Sequence, residues 1–147
     1  MKKIAKMVCI LVVSLVPTLG HGAFQAIGII KSVEGEVYLI SSSTEIQAVS
    51  NMKLISGDNI ITGNDGSVGL IFKDDTVVSL GPNSQIEVQD FVFNPAEEKL
   101  SFAARLVRGT FSFITGQIAK LAPKKVKLTT PDATLGVRGT KFVVEVK

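Results

Sequence analysis

Val107-Arg108-Gly109-Thr110, running into Phe111-Ser112-Phe113, and Val137-Arg138-Gly139-Thr140, running into Lys141-Phe142-Val143-Val144, repeat one tetrapeptide ahead of an apolar, Phe-containing stretch. A looser copy stands earlier, where Val33-Glu34-Gly35-Glu36 leads into Val37-Tyr38-Leu39-Ile40. The shared order is Val, a charged residue, Gly, a polar residue and then large apolar positions. Glycine reaches positive φ without a Cβ clash, so a glycine between two strand-like runs predicts a hairpin turn or a bulge. Three such corners predict an all-β chain of repeated β-hairpin units, folded as a β-roll, a β-helix-like domain or a two-layer sandwich.

The residues around the corners agree. From Phe24 onward the chain holds 14 Val and 12 Ile against 9 Leu, with 9 Thr besides. β-Branched side chains are stiff at χ1 and favour strands, whereas a helical domain leans on Leu and Ala. Short apolar runs fall at Ala26–Val33, Glu36–Ile40, Asn59–Thr62, Ser67–Phe72, Thr76–Leu80, Gln85–Phe93, Leu100–Val107, Thr110–Thr115, Val126–Thr130 and Lys141–Val146. Turn residues separate them: Asn64-Asp65-Gly66, Lys73-Asp74-Asp75 and Gly81-Pro82-Asn83. The one short helix expected is Gln117–Leu121, stopped soon after by Pro123.

The first 23 residues stand apart. Lys2, Lys3 and Lys6 precede the apolar run Met7–Val16, Pro17 breaks it, and Gly20, Gly22 and Ala23 follow. That order reads as a secretory signal peptide, with the cut expected after Gly22 or Ala23. The run is shorter than the about 20 residues a membrane span needs, so membrane contact is expected only if the segment is retained. Residues 24–147 are then expected as one domain, in the common ~100–150-residue range.

Removing the leader changes the chemistry available. Cys9 and His21 are the only Cys and His, and both fall within it, which leaves no thiol nucleophile, His base, Cys/His zinc site or disulfide. No Ser sits in a Gly-x-Ser-x-Gly elbow and no Gly-rich loop matches a phosphate cradle. Glu97 and Glu98 are neighbours, which in a strand would point to opposite faces. A non-enzymatic chain without a cofactor is the expectation. Charge is uneven: residues 24–98 hold 3 basic and 11 acidic side chains, while residues 99–147 hold 10 basic and 2 acidic. The halves are expected to pack together and partly neutralise each other.

Two stretches resemble a known family. Gly57-Asp58-Asn59-Ile60-Ile61-Thr62-Gly63, then Gly66-Ser67-Val68-Gly69-Leu70-Ile71-Phe72 and Asp75-Thr76-Val77-Val78-Ser79-Leu80-Gly81-Pro82-Asn83-Ser84, look like the core signature of the FecR domain. Leu128-Thr129-Thr130-Pro131-Asp132-Ala133-Thr134 with Gly136-Val137-Arg138-Gly139-Thr140-Lys141-Phe142 resembles its terminal motif. The resemblance implies a periplasmic all-β module of signal transduction across a Gram-negative-type envelope. In the family's namesake, that module senses a loaded iron-siderophore receptor and a cytoplasmic domain controls a sigma factor. Only Met1–Lys6 precede the apolar segment here, too few residues for such a domain. The expectation is therefore a freestanding periplasmic or secreted binding module.

Each candidate binding residue also has a structural role open to it. Arg108, Gly109 and Thr110, and likewise Arg138, Gly139 and Thr140, offer a planar donor fork, a sharp corner and a hydroxyl. Their expected role is structural, with Arg bridging to carbonyls or to an acidic side chain; a ligand carboxylate is the alternative. Asp58, Asp65, Asp74 and Asp75 crowd three turns, where solvated turn residues are expected before hard-cation ligands. Lys120, Lys124, Lys125 and Lys127 read as a solvated loop that could meet an acidic partner. Nucleic acid is not expected, since no aromatic platform adjoins the cluster. The partner expected is another envelope protein, met by strand addition at a sheet edge; the alternative is a structural envelope protein that binds itself or cell-surface polysaccharide.

Overall fold

The computed structural model describes residues 24–147; the expected leader lies outside the described residues. The strands are β1 (Gly28–Glu34), β2 (Val37–Ser41), β3 (Thr44–Gln47), β4 (Lys53–Leu54), β5 (Asn59–Thr62), β6 (Ser67–Phe72), β7 (Val77–Leu80), β8 (Gln85–Asn94) and β9 (Lys99–Ile114). After β9 come the helix α1 (Gln117–Leu121) and strands β10 (Val126–Thr129), β11 (Thr134–Leu135) and β12 (Lys141–Val146). The fold is all-β, as the β-branched composition implies, and α1 stands where Pro123 was expected to end it.

All twelve strands belong to one sheet that curls into two facing layers. The first layer runs β4-β1-β6-β7-β9-β12 and the second β3-β2-β5-β8-β9-β10-β11. β9 belongs to both: its first part pairs with β8 and β10, and its last part with β7 and β12. Neighbours are antiparallel except β9 with β10.

Period-2 alternation puts one side of each strand between the layers. Val68, Leu70 and Phe72 of β6 are buried there, as are Val78 and Leu80 of β7 and Ile86 and Val88 of β8. Phe72, Phe91 and Phe102 pack with ring centroids 5.0 to 5.8 Å apart. In β9 the buried positions are Phe102, Ala104 and Leu106, then Phe111 and Phe113, so the phase shifts by one between Leu106 and Phe111. A single extra residue does this: it bends the strand and keeps apolar side chains inward on both sides of the bend. Gly109, at φ +100°, sits in that bend.

The Val-x-Gly motif therefore marks a crossing between layers and not a hairpin. Gly35 (φ +64°) stands between β1 of the first layer and β2 of the second, and Gly139 (φ +90°) between β11 of the second layer and β12 of the first. The runs Leu100–Val107 and Thr110–Thr115, read apart in the sequence, are one 16-residue strand. The tight hairpins join β2 to β3, β6 to β7 and β8 to β9, and non-glycine residues take positive φ in them: Ser42, Ser43, Asp75 and Glu98. Glu97 and Glu98 lie at the last of these turns, where Glu97 pairs with Lys99 at 3.0 Å. Strands β3, β4 and β11 had no counterpart among the sequence runs. β3 is exposed throughout and the other two have two residues each, so none shows an apolar period.

The two oppositely charged segments pack together where β7 and β8 pair with β9, with Glu87 opposite Arg105, while β3 and β4 lie at one end of the stack and β10–β12 at the other. Among the described residues the ion pair between them, Lys99–Glu97, is local to the turn where the segments meet.

Candidate functional site

Both layers stop at the basic end. β12 pairs with β9 alone, and β11 with β10 alone. Between these last strands lies a groove of about 810 Å³. Ala119 of α1, Pro123 and Lys124 of the following turn, Val126 of β10 and Leu135 of β11 form one side. Gly136–Gly139, Phe142 and Val144 form the other. Phe142 and Val144 face inward but are only half-buried, because among the described residues no further strand covers them. Phe142 stacks on Phe113 with centroids 5.1 Å apart, so the groove opens directly onto the core. Lys124 and Arg138 bring cations to its lining, and Lys120, Lys125, Lys127 and Lys141 are exposed on the surrounding elements.

The wall formed by α1 is held by a buried carboxylate. Asp74 is 1% exposed and accepts from Thr76 N at 3.1 Å, Thr76 Oγ1 at 2.8 Å and Ile118 N at 3.2 Å. Its carbonyl accepts from Gln117 N at 2.7 Å, and the Gln117 amide donates to Asp75 at 3.0 Å. The β6–β7 turn thus supplies the acceptors that the first turn of a five-residue helix lacks. Such a helix is too short to hold itself in water, and this anchor positions it.

Asp74 and Asp58 correct the expectation of solvated turn residues. Both are 1% exposed, and Asp58 Oδ2 accepts from Ile55 N at 2.9 Å while Oδ1 has no partner among the described residues. Asp65 and Asp75 are exposed, as expected. Among the described residues no three Asp, Glu, His or Cys side chains converge as a metal site would require.

The two Arg-Gly-Thr motifs are separated. Arg108, Gly109 and Thr110 lie at the bend of β9, whereas Arg138 and Gly139 line the groove and Thr140 borders it. Both guanidiniums are exposed, and no hydrogen bond joins either to another described residue, so the bridging role expected of them falls to other side chains. Ser84, fully buried, accepts from Thr110 N at 3.0 Å, and its own N–H donates to Thr62 Oγ1 at 2.9 Å. Thr62 Oγ1 donates to Gly81 O at 2.7 Å. Three layer crossings are thereby tied together. Thr115 holds the second motif through its backbone: its N–H donates to Thr140 O at 2.8 Å and its hydroxyl to Gly139 O at 3.1 Å. The motif's carbonyls are occupied and its Arg is left to solvent. Ser84, Thr62 and Thr115 were not singled out in the sequence: apolar neighbours hint at burial for Thr62 and Thr115, but Ser84 stands between Asn83 and Gln85.

At the opposite end, Tyr38 donates its phenol to Glu36 at 2.8 Å. That hydrogen bond, and then the carboxylate's charge, hold its pKa above the ordinary tyrosine value.

The family model described as FecR protein matches residues 58–147, from the buried Asp58 through the whole groove. No curated protein and no solved structure matches the chain.

Proposed function

The chain belongs to the FecR protein family, and we propose that it is a non-enzymatic binding module of envelope signalling whose docking site is the groove at the basic end. The occupant is an extended segment of another envelope protein, apolar at alternate positions and acidic between them. It adds to β12 and sets its apolar side chains on Phe142, Val144 and Leu135. A strand added at an open edge gains affinity from main-chain hydrogen bonds and specificity from pockets beneath alternate residues.

The observation that carries this reading is the half-buried inner face of β12 beside an unoccupied sheet edge. About 810 Å³ is within the usual range of binding clefts, ~300–1,000 Å³. The lining favours a peptide over a polysaccharide, because sugar hydroxyls buried without hydrogen-bond partners would cost roughly 1–3 kcal/mol each. Lys124 and Arg138 attract acidic residues, and Arg can hold a carboxylate through two parallel bonds.

A photo-crosslinking residue placed at Val144 in cells should capture one envelope protein, and the same residue at Ile40, in the second layer, should not. Leu135→Asp and Arg138→Ala should each reduce capture by at least about tenfold without lowering the melting temperature enough to unfold the chain. Arg108→Ala, on the matching motif away from the groove, should leave capture unchanged. Equal crosslinking from both positions, or full capture by Leu135→Asp, would refute the site.

A further inference from the structure

The cross-strand register aligns the outward residues of the first layer into three rows. Ile29 opposes Ile71, Ile71 opposes Val77, and Val77 opposes Ile114, so four apolar side chains cross the sheet in one line. Lys53 opposes Ile29 at one end of this row and Lys141 opposes Ile114 at the other. The next row is Ser32, Gly69, Ser79, Ser112 and Val143. The third begins at Glu34, opposite Ser67, and ends at Glu145, opposite Thr110, with Gly81 hydrogen-bonded to Thr110 between them. The middle of this face therefore carries no charge, while its corners carry two Lys on one side and two Glu on the other. Ile29, Ile114 and Val143 are 38%, 44% and 65% exposed. The second layer's outer face is different: it carries Glu87 opposite Arg105, and Lys127.

We infer that this face is a self-association surface that takes a second copy of the chain, packed layer to layer about a two-fold axis along the middle row. Charge selects that axis. Rotation about the middle row lays the Lys row of one copy over the Glu row of the other, setting Lys141 against Glu145 of the second copy and Lys53 against its Glu34. Rotation about the strand direction would instead set Lys53 against Lys141 and Glu34 against Glu145. Two-fold symmetry makes each attractive pair occur twice. The same rotation lays the apolar row of each copy over Ser67, Gly81 and Thr110 of the other, and the small side chains of the middle row let the two sheets approach at ordinary sheet-packing distance. Lys31, the extra residue of a bulge in β1, stands on the Lys53 side and adds to the attraction for Glu34 of the second copy. Six strands at about 4.8 Å and three rows at about 6.8 Å give roughly 600 Å² per copy, near the lower limit for a specific interface. The dimer is accordingly weak and governed by concentration. It leaves the groove free, because Phe142 and Val144 lie on the other side of β12.

Sedimentation equilibrium of the purified full-length chain, from about 5 to about 500 µM, should show a monomer–dimer equilibrium that weakens with added salt. Lys141→Glu and Glu145→Lys should each raise the dissociation constant by at least about tenfold, because each creates two like-charge contacts. The double variant should return it to within about threefold of the original, and Ile114→Asp should abolish the dimer with an unchanged circular dichroism spectrum. A chain that stays monomeric at the highest concentration, or a double variant no better than its singles, would overturn the inference. Lys141 and Glu145 lie four residues apart on one strand, so rescue cannot come from a contact within one copy.

Discussion

Replacing Gly109 by Ala and, separately, Gly139 by Ala distinguishes two corners that read identically in the sequence. Both glycines have positive φ, +100° and +90°, a conformation that costs an L-residue about 1–3 kcal/mol. Their surroundings differ. A Cβ on Gly109 would overlap Ser84 Oγ, Cα and Cβ, whereas nothing stands within 4 Å of a Cβ on Gly139. Ser84 cannot yield cheaply, since it is fully buried, accepts from Thr110 N and donates its own N–H to Thr62. Displacing it leaves at least one buried donor unsatisfied, a further ~1–3 kcal/mol. Gly109→Ala should therefore lose about 2–6 kcal/mol in all, and Gly139→Ala about 1–3 kcal/mol, the difference being the displaced Ser84. For a domain of this size each kcal/mol lowers Tm by roughly 3–5 °C, so Gly109→Ala should melt about 3–15 °C below Gly139→Ala. Thermal melts of both variants by circular dichroism, under one set of conditions, measure the difference. Equal falls, or a larger fall for Gly139→Ala, would refute the reasoning that the contact with Ser84 and not φ alone makes glycine obligatory at the bend.

Asp74→Asn keeps one acceptor for Thr76 N but turns an amide donor toward both the Thr76 hydroxyl and Ile118 N, which share the other oxygen. Urea unfolding should show a loss of roughly 2–4 kcal/mol, with faster hydrogen exchange at Ile118; a loss below about 0.5 kcal/mol would show that the turn does not hold α1. Tyr38 is the sole tyrosine, so its ionisation can be followed by ultraviolet absorbance. Because deprotonation breaks its hydrogen bond to Glu36 and sets a phenolate beside a carboxylate, the midpoint should lie above the ordinary tyrosine value and fall in Glu36→Gln; an unmoved midpoint would count against the contact.

The strand pattern was legible because it is local. Asn59–Thr62, Ser67–Phe72 and Lys141–Val146 are apolar, β-branched runs, the first two entered from Asp58 and Gly66 and the third following the Gly139 corner, and those are the observed bounds of β5, β6 and β12. The helix Gln117–Leu121 was legible for the same reason. The FecR signature also lies in contiguous stretches, and the family match covers both. What Asp74 does was hidden, since its partner Ile118 lies 44 residues away and nothing near Asp74 distinguishes it from the exposed Asp75.

Chain order by itself determined that this is a β protein with glycine at its corners, without Cys or His outside its first 23 residues and oppositely charged in its two segments. Tertiary structure alone decided that those corners cross between layers, that hydroxyls of Ser84 and Thr115 hold them where Arg was expected to, and that one end of the stack lies open. It also decided which residues share a face: Ile29, Ile71, Val77 and Ile114 meet through pairing registers set by strands far apart in sequence. Alternation along one strand is fixed by its own residues, but register between strands is fixed by how all the inward side chains pack, and a slip of one residue would turn that apolar row to the other side.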